Sequence, residues 1–300
     1  MYKSDINLNL YKTFYDVAKY GSISKTAEAT YTSQPAISKS IKKLEESLNT
    51  KLFYRMASGV ELTDKGKELL YYVEKSYGNL LTAERILLED ENLNKGKLSI
   101  GMPSNVGTFY LFDKIIDFHN KYPNIEITII TGGTHQLINL LDSHKIDFII
   151  DTAPIYIDSN EEMTCRKLTT VKYCFAIKKD TKIFDYKSIK SLKDLKKLPL
   201  ILPIPGTANR SNLDELLIKN NVKIENVLNI HTSELIVSAI KKELGIGYII
   251  SNVVKNDNEI EILKLKEDLP KVDIDIVYNK NYLTTAPKKF INDYIEYKIK

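Results

Sequence analysis

Residues 31–49, YTSQPAISKSIKKLEESLN, decide the fold of the N-terminal part of this chain. At about 100° per residue, three apolar side chains fall within about 40° of Ile37, which gives the one-sided stripe of a helix packed on a core. These three are Ile41, Leu44 and Leu48. The opposite face carries Pro35, Lys39, Lys42 and Glu46. Because many basic helix faces are simply solvated, the neighbouring sequence must decide what this face contacts.

The composition is that of a globular protein with two domains. The chain has 300 residues, of which 43% are apolar and 27% are charged. No apolar run approaches the roughly 18 residues of a membrane span, and the start MYKSDINLNLYKTF lacks an apolar signal region. Cys165 and Cys174 lie in strand-like sequence without metal-ligand spacing, which fits a reducing compartment. We therefore expect a cytoplasmic protein that does not contact a membrane.

The distribution of charge is more informative than its total. The net charge is only +4. Residues 33–55 contain five basic and two acidic side chains, whereas residues 63–92 contain four basic and seven acidic ones. A local basic patch beside an acidic segment is a usual footprint of nucleic-acid binding.

The first 62 residues predict a winged helix-turn-helix. A first helix ends at Gly21, Ser22 or Ser24 can cap a second, and Ser33 can cap the third. A hairpin is expected around residues 57–59, and three helices followed by a hairpin define this domain. The apolar face expected for the first helix consists of Leu8, Tyr11, Phe14, Tyr15 and Ala18.

Residues 63–92 predict a linker and dimerisation helix. Thr63 caps it, and the pattern continues over 64–91, or roughly 42 Å at 1.5 Å per residue. A helix of this length protrudes from a small domain, so the simplest cover for its apolar stripe is the same helix of a second chain. Packing against its own chain is the alternative. The stripe contains Leu70, Val73, Tyr77, Leu80, Leu81, Leu87 and Leu88.

A hinge at NLNKGK precedes a region in which strands and helices alternate, which predicts an α/β domain over 97–300 with largely parallel sheets. Its length allows two small sheets with a cleft between them. The expected strands are KLSIGM, IEITII, DFIID, VKYCFAI, LPLILP, VLNIH, GIGYIIS and VDIDIVYN, and the expected helices are 106–121, 134–143, 209–220, 233–243 and one from about 286.

These motifs closely resemble the LysR-type transcriptional regulators. The matching residues are Ser33 to Lys39, Leu44-Glu45, Leu52 to Arg55, and Leu62 to Gly66, and the rest of the chain matches in outline. The resemblance implies a periplasmic-binding-protein-like effector domain, with subdomain I at about 97–168 and 268–300 and subdomain II at about 169–267. Departures occur at Thr26 and Thr30, where the family favours Ala and Leu, and at Asn49, where it favours Gly.

The resemblance implies that the outer face of the third helix enters the major groove. Gln34 is suited to adenine, Ser38 to any base edge, and Pro35 and Ala36 to thymine methyl groups. Phosphates are expected at Lys39, Lys42 and Arg55. The DNA-binding set is Ser33, Gln34, Pro35, Ala36, Ser38, Lys39, Lys42 and Arg55. The implied partners are double-stranded promoter DNA with an inverted repeat, RNA polymerase, and further copies of the chain in a homodimer or homotetramer.

The later domain is expected to bind a small anionic effector, most simply a carboxylate, because strand ends that lead into helix N-termini offer free N–H groups. Ser and Thr also cap helices everywhere, so each position alone is weak. Arg210 is one of only four arginines, which favours a geometric role, although it could also face solvent. The candidate effector residues are Met102, Ser104, Asn105, Thr134, Thr207 and Arg210.

Three other functions fit the sequence less well. The two cysteines could form a redox pair, but buried inert thiols are the favoured interpretation. An enzyme on a solute-binding scaffold is disfavoured because the chain lacks a Gly-x-Ser-x-Gly motif and a phosphate-binding glycine loop. An architectural DNA binder would not need the α/β domain. No metal or cofactor is expected, since no metal-ligand spacing occurs among His119, His135, His144 and His231.

Overall fold

The computed structural model describes the chain except residues 1–5, 57–58, 89–92, 158–162, 184 and 296–300. It divides into two compact units. The first comprises residues 1–89 together with 139–145, and the second comprises residues 90–138 and 146–300.

The first unit contains the expected winged helix-turn-helix. Phe14 and Leu44 are fully buried at its centre, where α1 and α3 pack on each other. The face expected for α1 is partly wrong, because Leu8 is exposed and the buried positions are Leu10, Phe14 and Val17. The elements are α1 (Leu8–Tyr20), α2 (Ile23–Ala29), α3 (Gln34–Leu48), β1 (Phe53–Met56), β2 (Gly59–Leu62) and α4 (Asp64–Leu87).

The helix boundaries follow from local chemistry. Gly21 ends α1 with a φ of 63°, and Asn49 ends α3 in the same left-handed region with a φ of 49°. Ser22 caps α2 and Thr63 caps α4, as expected, by accepting backbone N–H groups. Ser33 occupies the N-cap position of α3, but its hydroxyl makes no capping hydrogen bond.

The packing around these helices explains the residue types at positions 26 and 66. The departure at Thr26 is accommodated in the core, because its hydroxyl donates to the carbonyl oxygen of Ser22 at 2.7 Å. Gly66 lies in the first turn of α4, where an added Cβ would lie only 2.2 Å from the carbonyl oxygen of Leu52. A side chain at position 66 would therefore push α4 away from the start of β1.

The linker helix α4, Asp64–Leu87, has 24 residues, or roughly 36 Å. The expected end at 91 falls among residues 89–92, outside the described part. Val73 is buried in the core of the first unit, and Tyr77 stacks on Tyr15. The first half of the stripe therefore packs on its own chain, as the alternative interpretation held, and the second half does not.

Residues 139–145 are assigned to the first unit through contacts with α4. Lys75 forms an ion pair with Asp142 at 2.9 Å, and Lys145 forms one with Glu74 at the same distance. Because these side chains are partly shielded from solvent, the pairs are more effective than fully exposed ones.

The second unit is an α/β domain whose parallel strands are joined by helices. The order of hydrogen-bonded strands is β4-β3-β5-β11-β6-β9-β7-β8, with β10 paired to β6. The strands are β3 (Gly96–Met102), β4 (Ile125–Thr131), β5 (Phe148–Thr152), β6 (Met163–Lys178), β7 (Leu200–Pro203), β8 (Val227–Ile230), β9 (Ile246–Ile250), β10 (Ile260–Ile262) and β11 (Lys271–Asn279). The helices are α5 (Ser104–Val106), α6 (Phe112–Lys121), α7 (Thr134–Asp142), α8 (Ala208–Lys219), α9 (Ser233–Lys241), α10 (Ser251–Val254) and α11 (Thr285–Phe290).

The long strand β6 joins the two halves of the sheet. Its residues up to Lys172 pair with β11, and Tyr173–Ala176 pair with β9. The expected two small sheets therefore share one strand. The helix expected over 106–121 begins earlier, at Ser104, and contains a wide turn at Gly107–Leu111 before α6.

Candidate functional site

The expected DNA-reading residues lie together on an accessible surface. Ser33, Gln34, Pro35 and Ala36 are exposed at the start of α3, and Lys39 and Lys42 are exposed further along it. Ser38 is half-buried, and Arg55 is exposed on β1. A surface groove of about 490 Å³ between α3 and β1 brings Ser38, Lys42 and Arg55 together. The recognition helix and the wing therefore offer one continuous polar and basic face.

Glu45 stabilises this face, a role that its place in the sequence does not predict. Its buried carboxylate accepts the backbone N–H groups of Leu52 at 2.8 Å and Phe53 at 3.4 Å, and pairs with Lys51 at 2.7 Å. Burial opposes ionisation, but these three donors outweigh it and lower the pKa of Glu45. One side chain thus ties the end of α3 to the start of β1.

The second half of α4 exposes an apolar surface. Leu80 is 55% exposed and Leu87 is 84% exposed. Leu81 and Leu88 lie beside them and are also exposed. Four neighbouring leucines in contact with water on one helix are unusual for a monomer and are typical of a protein–protein contact.

In the second unit, the candidate effector residues lie at the carboxyl ends of strands. In one half of the sheet β3 lies between β4 and β5, and in the other half β7 lies between β8 and β9. Each half therefore has a point at which successive strands are added on opposite sides of the first one. Ligands of open α/β sheets bind at such switch points. The two ends approach each other, because α10, which follows β9, lies against residues 107–111, which follow β3.

Thr134 and Asp151 form a polar pair at the end of β5. The hydroxyl of Thr134 donates to Oδ2 of Asp151 at 2.6 Å. The other carboxylate oxygen accepts the N–H of Thr152 at 2.6 Å. Asp151 is only 1% exposed, and burial raises its pKa although these hydrogen bonds lower it.

Arg210 lies in the first turn of α8, at the end of β7. Its Nη1 donates to the carbonyl oxygen of Pro203 at 3.0 Å and to Oδ1 of Asn229 at 2.7 Å, and its Nε pairs with Asp214 at 2.9 Å. The side chain is 14% exposed, so it does not face bulk solvent. Its Nη2 has no partner among the described residues.

The remaining candidates differ in accessibility. Ser104 is exposed and Asn105 is half-buried at the start of α5, which lies against β5. Thr207 uses its hydroxyl to bond the carbonyl oxygen of Ile204 at 2.9 Å. Met102 is 1% exposed in the hydrophobic core, so its side chain is not open to a ligand in this structure.

The cysteines are not paired with each other. Cys174 is buried as expected, and burial raises its pKa to about 12. Cys165 is exposed rather than buried, which corrects that expectation, and desolvation and the nearby Asp275 raise its pKa. Both thiols therefore favour the unreactive protonated form.

No helix in the described part of the chain is long and apolar enough to cross a membrane. Within the same residues, no group of three or more His, Cys, Asp or Glu side chains is arranged to hold a metal ion.

A winged helix-turn-helix with an exposed basic face, followed by an α/β domain with a polar site at its switch points, defines a ligand-responsive DNA-binding regulator. Two family models match these units. The model described as "Bacterial regulatory helix-turn-helix protein, lysR family" matches residues 8–67, and that of the "LysR substrate binding domain" matches residues 91–296. The chain belongs to the LysR family of transcriptional regulators, which are not enzymes.

Individual relatives agree with this. The HTH-type transcriptional regulator YofA of Bacillus velezensis is 25% identical over 285 residues, which cover 94% of this chain and 95% of YofA. Full-length OxyR from Pseudomonas aeruginosa, in a variant form, superposes with a TM-score of 0.73 at 19% identity, covering 97% of this chain and 95% of that one. CbnR complexed with its target DNA gives a TM-score of 0.66 at 16% identity, covering 97% and 99%.

Proposed function

We propose that the chain binds a promoter inverted repeat as a dimer, and that a small carboxylate bound between the two halves of its α/β domain modulates this binding. The observation that carries the proposal is the joint exposure of Gln34, Lys42 and Arg55 on one face of the first unit. A dimer would present two such faces to two half-sites separated by whole helical turns. The proposal includes the domain and subdomain boundaries that the sequence predicts.

Assembly into dimers, joined into tetramers by the α/β domains, is the expected oligomeric form. The exposed leucines at the end of α4 support the dimer. RNA polymerase is the proposed protein partner and the cytoplasm the proposed location, because a promoter-bound regulator acts where transcription takes place.

Gln34→Ala is expected to weaken binding to a preferred site by about 1–3 kcal/mol and to relax the preference at one base pair, because the amide reads a base edge. Competition between cognate and scrambled duplexes measures this. An unchanged affinity ratio between the two duplexes would remove Gln34 from the base-reading set.

Lys42→Ala is expected to weaken binding to all sequences alike, because this side chain neutralises a phosphate. It should also reduce the slope of log affinity against log salt concentration by about one. The measurement is affinity for cognate and scrambled duplexes over a range of salt concentrations. Lys182→Ala, at an exposed position in the second unit, is the matched control and should change neither quantity. A loss confined to the cognate duplex would contradict the phosphate role.

For the effector, we propose that Arg210 holds a carboxylate through Nη2, with Ser104 and Asn105 opposite it. Thermal-shift screening of the full chain with small carboxylates should find a compound that raises Tm, because a ligand that binds only the folded state stabilises it by mass action. Arg210→Ala and Ser104→Ala should each weaken that ligand. Unchanged dissociation constants in both variants would place the site elsewhere.

A further inference from the structure

The Thr134–Asp151 pair limits what a ligand can offer at this end of the site. A threonine hydroxyl has one proton and two lone pairs. That proton is committed to Oδ2 of Asp151 at 2.6 Å. Thr134 is half-buried and so reachable, and towards a ligand its hydroxyl presents only lone pairs. A carboxylate placed against this hydroxyl would meet an acceptor with a second carboxylate behind it, so the Thr134 hydroxyl does not donate to an acid in this arrangement.

Asp151 also has no counter-charge among the residues that the structure describes. Its described hydrogen bonds come from Thr134 and Thr152, both uncharged, and no cationic side chain figures among the groups that shift its pKa. A buried carboxylate is costly unless a positive charge or enough hydrogen bonds compensate it. A ligand cation bound to the lone pairs of the Thr134 hydroxyl would face Asp151 across that hydroxyl. The low local dielectric strengthens its attraction to the carboxylate.

A second polar feature lies at the same junction. Tyr173 is the first residue of β6 to pair with β9, and burial together with the nearby Asp151 raises the pKa of its hydroxyl. Its ring stacks on that of Tyr248, with centroids 4.9 Å apart. Tyr248 is fully buried, and its hydroxyl has no hydrogen-bond partner among the described residues. An unsatisfied buried hydroxyl is destabilising, so a polar group of a ligand would be favoured here.

We propose that the effector is a small zwitterionic amino acid, whose ammonium group donates to Thr134 beside Asp151 and whose carboxylate binds Arg210. This inference rests on the proposed effector site and adds the chemical class of its ligand. Asp151 is a positioning residue in this arrangement, since it orients the Thr134 hydroxyl and supplies charge from behind it. The two ends of the ligand thus bind different halves of the domain: Thr134 follows β4, and Arg210 follows β7.

The test uses the full chain and matched sets of probes, each with one carbon skeleton: the L-amino acid, its 2-hydroxy acid and its unsubstituted carboxylate, for all the common protein amino acids. At least one amino acid should raise Tm and bind about tenfold or more tightly than its unsubstituted carboxylate, since a charge-assisted hydrogen bond is lost in the latter. A 2-hydroxy acid that binds as tightly as its amino acid would overturn the ammonium assignment.

Variants locate the effect. Asp151→Asn should weaken the amino acid about tenfold and leave the unsubstituted carboxylate unchanged, because only the charge behind Thr134 is removed. Thr134→Val should do the same by removing the lone pairs, whereas Thr134→Ser should retain binding. Asp151→Asn should also leave the Tm of the ligand-free chain unchanged or higher, because an uncompensated buried charge is gone. Equal loss for amino acid and plain carboxylate would contradict the proposal.

The outcomes separate this inference from the proposed function. If unsubstituted carboxylates bind as tightly as amino acids and lose affinity in Arg210→Ala, the anion site stands and the amino-acid assignment fails. If none of the three classes of probe binds, or if Arg210→Ala leaves their affinity unchanged, the proposed carboxylate site fails as well.

Discussion

Glu45→Leu should lower the stability of the DNA-binding unit by about 2–4 kcal/mol, a large effect for one side chain on the surface helix of a small domain. The carboxylate is buried, and its Oε1 accepts the N–H groups of Leu52 and Phe53. Leucine matches the volume but leaves both donors without their partner, so their desolvation is no longer compensated. The start of β1 should then separate from α3, and Arg55 with it.

Hydrogen exchange of the amides in α3 and β1, followed in the intact chain, measures this local stability. Glu46→Leu is the matched control, because Glu46 is the next residue along α3 and its side chain is 65% exposed. Equal exchange rates in Glu45→Leu and Glu46→Leu would show that the Glu45 bonds contribute nothing measurable.

The same carboxylate predicts a pH dependence. Its pKa in the folded chain is lowered from an ordinary value of 4.5, despite burial, by Lys51 and the two N–H groups. A lowered carboxyl pKa stabilises the fold fully above the unfolded-state pKa, and this contribution is lost as the pH falls through the folded-state pKa. The stability difference between the unmodified chain and Glu45→Gln should therefore be constant at neutral pH and shrink below about pH 4.5. A difference that grows on acidification would contradict the assignment.

The double substitution Leu80→Lys with Leu87→Lys should abolish dimerisation through α4, at a cost of several kcal/mol, because two ammonium groups on each chain would be buried without partners. Both leucines are more than half exposed in the single chain, so the substitutions should leave its fold intact. Sedimentation at micromolar concentration should change from dimer to monomer, or from tetramer to a dimer joined only by the α/β domains. Affinity for an inverted repeat should fall to that of one half-site.

Asn79→Lys serves as the control, since it adds a charge to the exposed surface of α4 about 100° away from Leu80. It should leave the oligomeric state unchanged. An unmodified chain that sediments as a monomer at micromolar concentration would refute the proposed contact between the α4 helices of two chains.

The features that the sequence predicted well are those determined locally. Ser22, Thr63 and Asn49 mark helix ends because their side chains or backbones satisfy the orphan groups of the nearest turn. Leu8 was misassigned because a helix face is fixed only by its neighbours: Leu10, Phe14 and Val17 face the core in α1. The pattern over 64–91 likewise could not show that Val73 packs within its own chain while Leu87 does not.

Roles that depend on distant partners could not be predicted. Glu45 was noticed only as part of a motif, since its bonds to Leu52 and Phe53 depend on where β1 begins. Asp151 ends an apolar strand and looks like an ordinary boundary residue, because Thr134 approaches it only in the folded sheet. Arg210 was identified from the scarcity of arginine, but its bonds to Pro203 and Asn229 required the parallel pairing of β7 and β8.

The central position of β11 has a consequence for how the chain is made. This strand is hydrogen-bonded between β5 and β6, yet it comes much later in the chain than either of them. Asp275 of β11, which contacts Cys165 of β6, lies 110 residues after it. Since domains fold from the N-terminus as they leave the ribosome, the DNA-binding unit can form early, whereas β5 and β6 keep unpaired edges until β11 emerges. Such edges recruit other strands, so a ribosome that stalls before residue 271 should release an aggregation-prone chain that already carries an intact DNA-binding unit.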